Sequence, residues 1–336
     1  MMASEMAGLF VVLFLTGTVV GVEALLAYDW LMERFWKRKL SRVPRWLRVP
    51  WSAAFLVLVG CVAYAHWVEP FRFEVTRHKV SVARLPADFR LRILHLTDLH
   101  LEGQGEAAAW ILETVEREKP DVIVLTGDYV NNYGPGLEAF DRLAKQLRAP
   151  HGVLAVTGNY DTVNPTEHNS EISTLHGFAR SIEVGGVNIN FVGLPCVGGS
   201  RSFPNVSHLP PASFTVMLHH TPELIDDACN REVDLYLCGH THGGQVRVPF
   251  YGAVVTLSDT GKKYEAGRYE VGGMTAYVGR GVGNEGGRVP RLRFLCRPEI
   301  AVFDVVGEGE PSKVQGPKSR VQSRRERQER RPNTER

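Results

Sequence analysis

The sequence is poor in cysteine: five residues, at 61, 196, 229, 238 and 296, with no Cys-x-x-Cys and no regular spacing. That scarcity excludes a disulfide framework and a cysteine-ligated metal site, and leaves the thiols as buried apolar groups. No basic residue lies between Met1 and Met6, so the apolar segment that follows lacks the positive n-region of a signal peptide. No internal repeat is evident. From Gly307 to Arg336 large apolar residues are almost absent, while Arg, Glu, Ser and Pro abound. Such a segment cannot bury enough surface to fold, and residues 307–336 are expected to form a disordered basic tail.

What is present suits one large α/β domain with appendages. The chain has 336 residues, 44% hydrophobic and 23% charged, and its net charge of +2 conceals two basic ends. One uncharged run extends from Met6 to Val22 and continues past Glu23 to Ala27; a second extends from Val49 to Val68. Each approaches the ~20 apolar residues that cross a bilayer, so residues 1–70 are expected to be a membrane anchor of two transmembrane helices. Between them Arg34, Lys37, Arg38, Lys39, Arg42, Arg45 and Arg48 face only Glu33. By the positive-inside rule that connection is cytoplasmic, which makes the protein a multi-pass inner-membrane protein with its remaining domain outside the cytoplasm. Tryptophans 30, 36, 46, 51 and 67 suit interfacial positions. No nucleic-acid partner is expected.

From Arg92 strands alternate with helices. Arg92–Thr97, Asp121–Thr126 and Gly152–Thr157 read as buried strands, separated by helices over Glu106–Lys119 and Leu137–Leu147. This βαβαβ order predicts a largely parallel sheet with right-handed crossovers. Further strands are expected at Val187–Val192, Phe214–Leu218 and Val233–Cys238. Short β-like runs after Gly252 suggest a second sheet.

Polar residues follow these strands in turn. Asp98 and His100 follow the first, Asp128 the second and Asn159 the third. His219 and His220 follow the strand at Phe214, and His240 and His242 the strand at Val233. Singly, Asp128 reads equally as a turn residue, Asn159 as a helix cap and His220 as a core histidine. Together they fall at the carboxyl ends of strands, which in open α/β sheets line one crevice. Imidazoles, carboxylates and one amide oxygen suit first-row divalent metals such as Mn, Fe or Zn, and the number of donors suits two ions. Asp128, midway in the series, is the natural bridging carboxylate. Two cations ~3.5–4 Å apart activate a bridging hydroxide and stabilise an in-line displacement at phosphorus, so phosphoester hydrolysis is expected.

The motifs Asp98-Leu99-His100, Gly127-Asp128, Gly158-Asn159-Tyr160-Asp161, His220 and Gly239-His240-Thr241-His242 resemble those of the calcineurin-like metallophosphoesterases in order and spacing. Glu69-Pro70, Gly239 to Gln245 and Arg297-Pro298-Glu299 resemble the membrane-associated bacterial branch that includes UDP-2,3-diacylglucosamine hydrolases. The resemblance spans roughly residues 90–305. It implies a metallophosphoesterase-type β-sandwich flanked by helices over residues 71–306. One metal would take Asp98, His100, Asp128 and His242, and the other Asp128, Asn159, His220 and His240. It also assigns Tyr160 and Asp161 to catalysis, with Tyr160 standing where the family has a histidine near the leaving group. A phenol of pKa ~10 is a poor reversible acid at neutral pH, which favours substrates such as pyrophosphates. The expected substrate is a phosphodiester or pyrophosphate in a lipid or cell-envelope compound. A catalytically inert scaffold that binds metal or phosphate is the competing expectation.

Overall fold

Two apolar helices, α1 (Ala3–Trp36) and α2 (Arg45–Trp67), precede an α/β domain in the computed structural model. The structure describes residues 3–37, 44–103, 105–131, 134–161, 171–196, 214–285 and 291–310. Arg38, Lys39 and Arg42 of the basic connection, and residues 311–336 of the tail, lie outside the described residues. The domain begins with β1 (Glu74–Val82), β2 (Arg90–Leu96), α3 (Glu106–Glu118), β3 (Val122–Leu125), α4 (Pro135–Ala144), β4 (Val153–Ala155) and β5 (Ile172–Thr174). It continues with β6 (Ala179–Val184), β7 (Val187–Gly193), β8 (Phe214–Leu218) and β9 (Leu235–Cys238). The last strands are the short pair β10 (Arg247–Val248) and β11 (Gly252–Ala253), then β12 (Gly267–Val271), β13 (Met274–Val278) and β14 (Glu299–Gly307).

Strand periodicity divides the apolar side chains between layers, because successive residues point to opposite faces. On β2 Leu91 and Ile93, on β3 Val122 and Val124, and on β9 Leu235 and Leu237 enter one cluster between two sheets. The alternate residues Leu94, Leu96, Ile123 and Leu125 pack outward with Ile111 of α3 and Phe140 and Leu143 of α4. Tyr236 and Cys238 of β9 face a third cluster with Leu224, Ile225 and Tyr264. The result is a β-sandwich flanked by helices. Helix α3 stops where Lys119 turns left-handed (φ 48°) and Pro120 follows, which cannot extend a helix.

The sheet orders are β1-β14-β2-β3-β4-β5 and β12-β13-β9-β8-β7-β6. The first sheet is mixed, since β14 runs parallel to β1 and antiparallel to β2. Two features depart from the sequence reading. Strand β1 was not anticipated, and the second sheet is built mostly from residues before Gly252, with only β12 and β13 added after it. Strand β14 instead returns to the first sheet. It is apolar on both faces, with Ala301, Phe303 and Val305 turned to the inter-sheet core and Ile300 and Val302 to the helices. Its interior place between β1 and β2 lets both faces be covered. Beyond β14, Glu308 and Gly309 still donate backbone bonds to Val82 and Leu85.

At the start of β14 a buried carboxylate ties three segments together. Glu299 accepts from Thr76 Oγ1 (2.6 Å), Tyr277 OH (2.5 Å), Arg280 Nε (3.0 Å) and the Arg280 N–H (3.2 Å). Burial opposes its ionisation, yet Arg280, Thr76 and Tyr277 hold its carboxyl below the ordinary 4.5. Glu299→Gln leaves Arg280 with Glu74 as its remaining carboxylate and weakens the bonds made to Glu299, and should cost about 2 kcal/mol at neutral pH in urea unfolding of the detergent-solubilised chain. Since the folded pKa is depressed, this contribution is complete above the unfolded value of 4.5 and fades as pH falls through the folded value. The stability gap between wild type and Glu299→Gln should therefore close below pH 4.5; a gap indifferent to pH would refute the ion-pair account.

Candidate metal centre

The loops that leave β2, β3, β4, β8 and β9 meet at one end of the sandwich. Asp98, His100, Asp128, His240 and His242 all hold positive φ, between 43° and 71°. Non-glycine residues rarely adopt this region, and where they do the surrounding fold compels it, most often at functional sites. Two glycines make room for these turns. A Cβ on Gly158 would lie 2.1 Å from Asp128 Oδ1, and one on Gly239 would lie 2.0 Å from Asp98 Oδ2.

The side chains form two groups, Asp98 with His100 and His242, and Asp128 with His220 and His240; within each, one donor atom per residue lies within 4.8 Å of the others. In the first group His242 Nε2 is 3.1 Å from His100 Nε2 and 3.3 Å from Asp98 Oδ1. In the second, His220 Nε2 is 2.9 Å from Asn159 Oδ1 and 3.2 Å from Asp128 Oδ2. The same Asp128 oxygen is 3.7 Å from His100 Nε2, so it stands between the groups.

Supporting contacts fix these rings. His220 Nδ1 lies 2.7 Å from the Thr126 carbonyl, which turns Nε2 toward Asp128 and Asn159. Burial opposes a charge on the ring, but Asp128 raises its pKa well above the ordinary 6.5, so Nε2 carries a proton that a metal ligand would have to give up. His100 Nδ1 is 2.6 Å from Asn131 Oδ1, while the His240 N–H and Thr97 Oγ1 both donate to Asp98. His219 turns away, its Nδ1 3.0 Å from the Thr221 carbonyl, and burial pushes its pKa down to about 4.

The electrostatics of the site suit a bound cation. Burial opposes ionisation of Asp128, but His220, His100 and the Tyr160 N–H outweigh it and hold the carboxyl down to about 2. Burial, then His100 and Arg293, push the His242 pKa well down and keep that ring neutral, as a ligand must be. Two facing Nε2 atoms beside a carboxylate lack a proton for every pair, and a divalent ion satisfies them all. The donors present therefore fit a pair of divalent metals.

The two residues expected to act in catalysis differ in placement. Tyr160 reaches the cleft, with its ring edge-on to His100 at 5.3 Å between centroids, and its hydroxyl donates to Glu285 Oε1 at 2.6 Å. That bond, with burial second, pushes the phenol up to about 12. Asp161 is turned into the loops instead. Its carboxylate accepts from the N–H groups of Asp128 (2.8 Å), Tyr129 (3.0 Å) and Gly158 (2.8 Å), which makes it a brace between two turns.

Glu285 and Arg293 were missed by sequence reasoning. Glu285 Oε2 stands 3.8 Å from His242 Nε2. Fully buried Arg293 donates to the carbonyls of Arg280, Gly283 and Cys296 and so shapes the loop carrying Glu285. The glycines at 279, 281 and 283 were the available signal. A Cβ at Gly281 would sit 2.6 Å from the Asp98 Cβ, and one at Gly283 would sit 2.2 Å from the Leu99 carbonyl oxygen, so this loop closes on the site from the opposite side.

Comparison with known proteins agrees with this geometry. Residues 91–244 match the family described as calcineurin-like phosphoesterase. The chain is 33% identical to the uncharacterized metallophosphoesterase YkuE of Bacillus subtilis (strain 168), over 75% of this chain and 92% of that protein. It is 31% identical to the phosphodiesterase YaeI of Escherichia coli (strain K12), over 76% of this chain and 96% of that protein. An uncharacterized metallophosphoesterase of Aquifex aeolicus (strain VF5) is 27% identical over 75% and 98% of the two chains.

The brace is open to a direct test. Asp161→Asn keeps the shape but presents one acceptor oxygen to three N–H groups, so the metal-free protein should lose ~2 kcal/mol of stability in thermal or urea unfolding. Unchanged stability would show that the two turns hold without it.

Proposed function

We propose, starting from the fact that this chain belongs to the calcineurin-like phosphoesterase family of metal-dependent phosphoester hydrolases, that it is a membrane-anchored dimetal enzyme cleaving phosphodiesters or pyrophosphates. The observation that carries this reading is the position of Asp128 Oδ2, 3.2 Å from His220 Nε2 and 3.7 Å from His100 Nε2, between two donor groups. Asp98, His100, Asp128 and His242 would hold one ion, and Asp128, Asn159, His220 and His240 the other. When bound, the ions supply an acidified water and stabilise charge on the attacking and leaving oxygens.

The residues of the chain do the rest. Asp161 and the buried Arg293 keep the ligand loops in register, and Asn159 and Asp128 set the separation of the two donor groups. Tyr160 carries a hydroxyl toward the cleft, but a phenol raised to about 12 and bonded to Glu285 yields its proton reluctantly. Substrates with leaving groups that need no proton are favoured, namely aryl diesters and pyrophosphates. That YaeI is named a phosphodiesterase supports a diester.

The anchor supports a substrate of the lipid or envelope class. Both helices are long and apolar enough to cross a membrane, and only 6% of either apolar window is buried, so neither is a core helix of the domain. The outer ends of both helices bond to the domain. Glu5 accepts from the Thr256 N–H at 2.9 Å, while the Ala65 carbonyl and Glu69 accept from Arg293 and Cys296. The connection bearing Arg34, Lys37 and Arg48 therefore lies at the far end of the hairpin. By the positive-inside rule, this favours a cytoplasmic connection and an external domain.

Two experiments test the reading. Asp128→Asn and His240→Ala should each lower metal content and abolish hydrolysis of bis(p-nitrophenyl) phosphate while circular dichroism is unchanged; wild-type turnover at full metal loading in either variant would sink the ligand assignment. The same assay with alkyl diesters should give much slower turnover than with aryl diesters. Separately, periplasm-active reporters fused after residue 70 should be active and cytoplasm-active ones silent, and the reverse pattern would place the domain in the cytoplasm.

A further inference from the structure

We infer that the face of the domain around the base of the helical hairpin docks on the bilayer, with Phe250, Leu257 and Leu295 inserted at the headgroup–acyl boundary. The inference rests on the membrane-anchor reading above and deepens it.

Three observations converge. Phe250, Leu257 and Leu295 are exposed to 110%, 67% and 49%, although each is a large apolar side chain. All three also hold a left-handed backbone, with φ of 64°, 56° and 53°. A turn that needed only to reverse the chain would take glycine or asparagine there; a bulky apolar residue in that conformation is an outlier that points to a function. Every other non-glycine residue with positive φ among those described is polar or charged.

Each of the three adjoins a residue that touches the anchor. Phe250 precedes Tyr251, whose hydroxyl fills the space a Cβ on Gly8 of α1 would need, at 2.1 Å. Leu257 follows Thr256, which donates to Glu5 of α1 through both its N–H and its hydroxyl. Leu295 lies between Phe294, edge-on to Tyr64 of α2 at 6.3 Å, and Cys296, whose N–H donates to Glu69. The tips thus belong to separate loops gathered at the point where the hairpin meets the domain. Trp67 at the end of α2 and Phe71 just beyond it, 69% and 58% exposed, extend the same apolar rim.

This continuity with the anchor selects the occupant. Whatever covers the rim must lie beside two membrane-spanning helices, and that is the bilayer itself. Exposed apolar and aromatic side chains grouped at such a level bind the interface by burying area in it. The docked rim also carries a consequence for the substrate. A cleft of about 220 Å³ joins His240 and His242 to Leu257, Val246, Val255 and Leu292. Its apolar wall ends at the rim, so the candidate metal centre opens toward the headgroup layer. The substrate class this favours is an amphiphile whose phosphoester lies at headgroup level and whose apolar part stays in the membrane.

The test uses the full-length protein reconstituted in phosphatidylcholine–phosphatidylglycerol vesicles, with acyl chains brominated near the headgroup. Phe250→Trp, Leu257→Trp and Leu295→Trp each add one tryptophan to the native background. Glu183→Trp, on an exposed β6 position beside the β6–β7 turn at the other end of the strands, is the control. Because the native anchor tryptophans are themselves quenched, the readout is the emission each variant adds over wild type. That increment should fall at least about twofold on bromination for each rim tryptophan, as for a side chain at the headgroup–acyl boundary, and the increment of the control should not change. Rim tryptophans that are unquenched and as accessible to iodide as the control would overturn the docking surface. So would rim tryptophans shielded from iodide without bromine quenching, since protein would then cover the face. Alkaline carbonate separates the underlying reading: release of the chain would overturn anchor and docking together, whereas retention with unquenched tryptophans overturns docking alone.

Discussion

Five residues of the candidate centre sit in a backbone conformation that their side chains disfavour, and the molecule is built to keep them there. Asp98, His100, Asp128, His240 and His242 all have positive φ, at a cost of order 1–3 kcal/mol each for residues in sparsely populated regions. Local sequence cannot supply that energy. It comes from two six-stranded sheets packed face to face, whose inter-sheet cluster includes Ile93, Val124, Leu218 and Leu237, one from each of four strands that feed the site. The rigid core lets the loops be strained without being mobile, and strain of this kind places donor atoms before any ion arrives.

Two polar devices transmit the order of the core to the loops. Asp161 joins the turn after β3 to the turn after β4 through three backbone N–H groups. Glu299 and Arg280 join β1, β13 and β14 at the root of the loop that carries Glu285. From there Arg293 gathers the carbonyls of that loop. Charge-assisted bonds to backbone groups are stronger than neutral ones, and buried ones are costly to leave half made. Each device therefore acts on position, and the chemistry is left to the groups facing the crevice.

The hairpin is tied into the same frame. Its contacts fall on the loops at 251–256 and 293–296, close in sequence to His242 and to the Arg293 brace. A domain held to the helical hairpin through the neighbourhood of its own site has a fixed orientation relative to it, unlike one tethered by a flexible linker.

Much of this protein was legible in residue order. Strand and helix periods gave the βαβαβ run, and the polar residues after β2, β3, β4, β8 and β9 gave the donor types, because a strand end has a predictable direction within its own sheet. Family motifs added the pairing of donors, and two uncharged runs gave two long apolar helices. Tertiary structure decided what depends on contacts between distant segments. The return of β14 to the interior of the first sheet, with Glu285 carried beside Tyr160 and His242 and Arg293 beside His242, leaves no periodic trace near those residues. The role of Asp161 was likewise hidden, since a carboxylate in a Gly-Asn-x-Asp motif reads as a reactive group until the N–H groups that occupy it are seen. Sequence fixes which side chains are available and the local direction of each; only the register between segments far apart in the chain sets which of them meet.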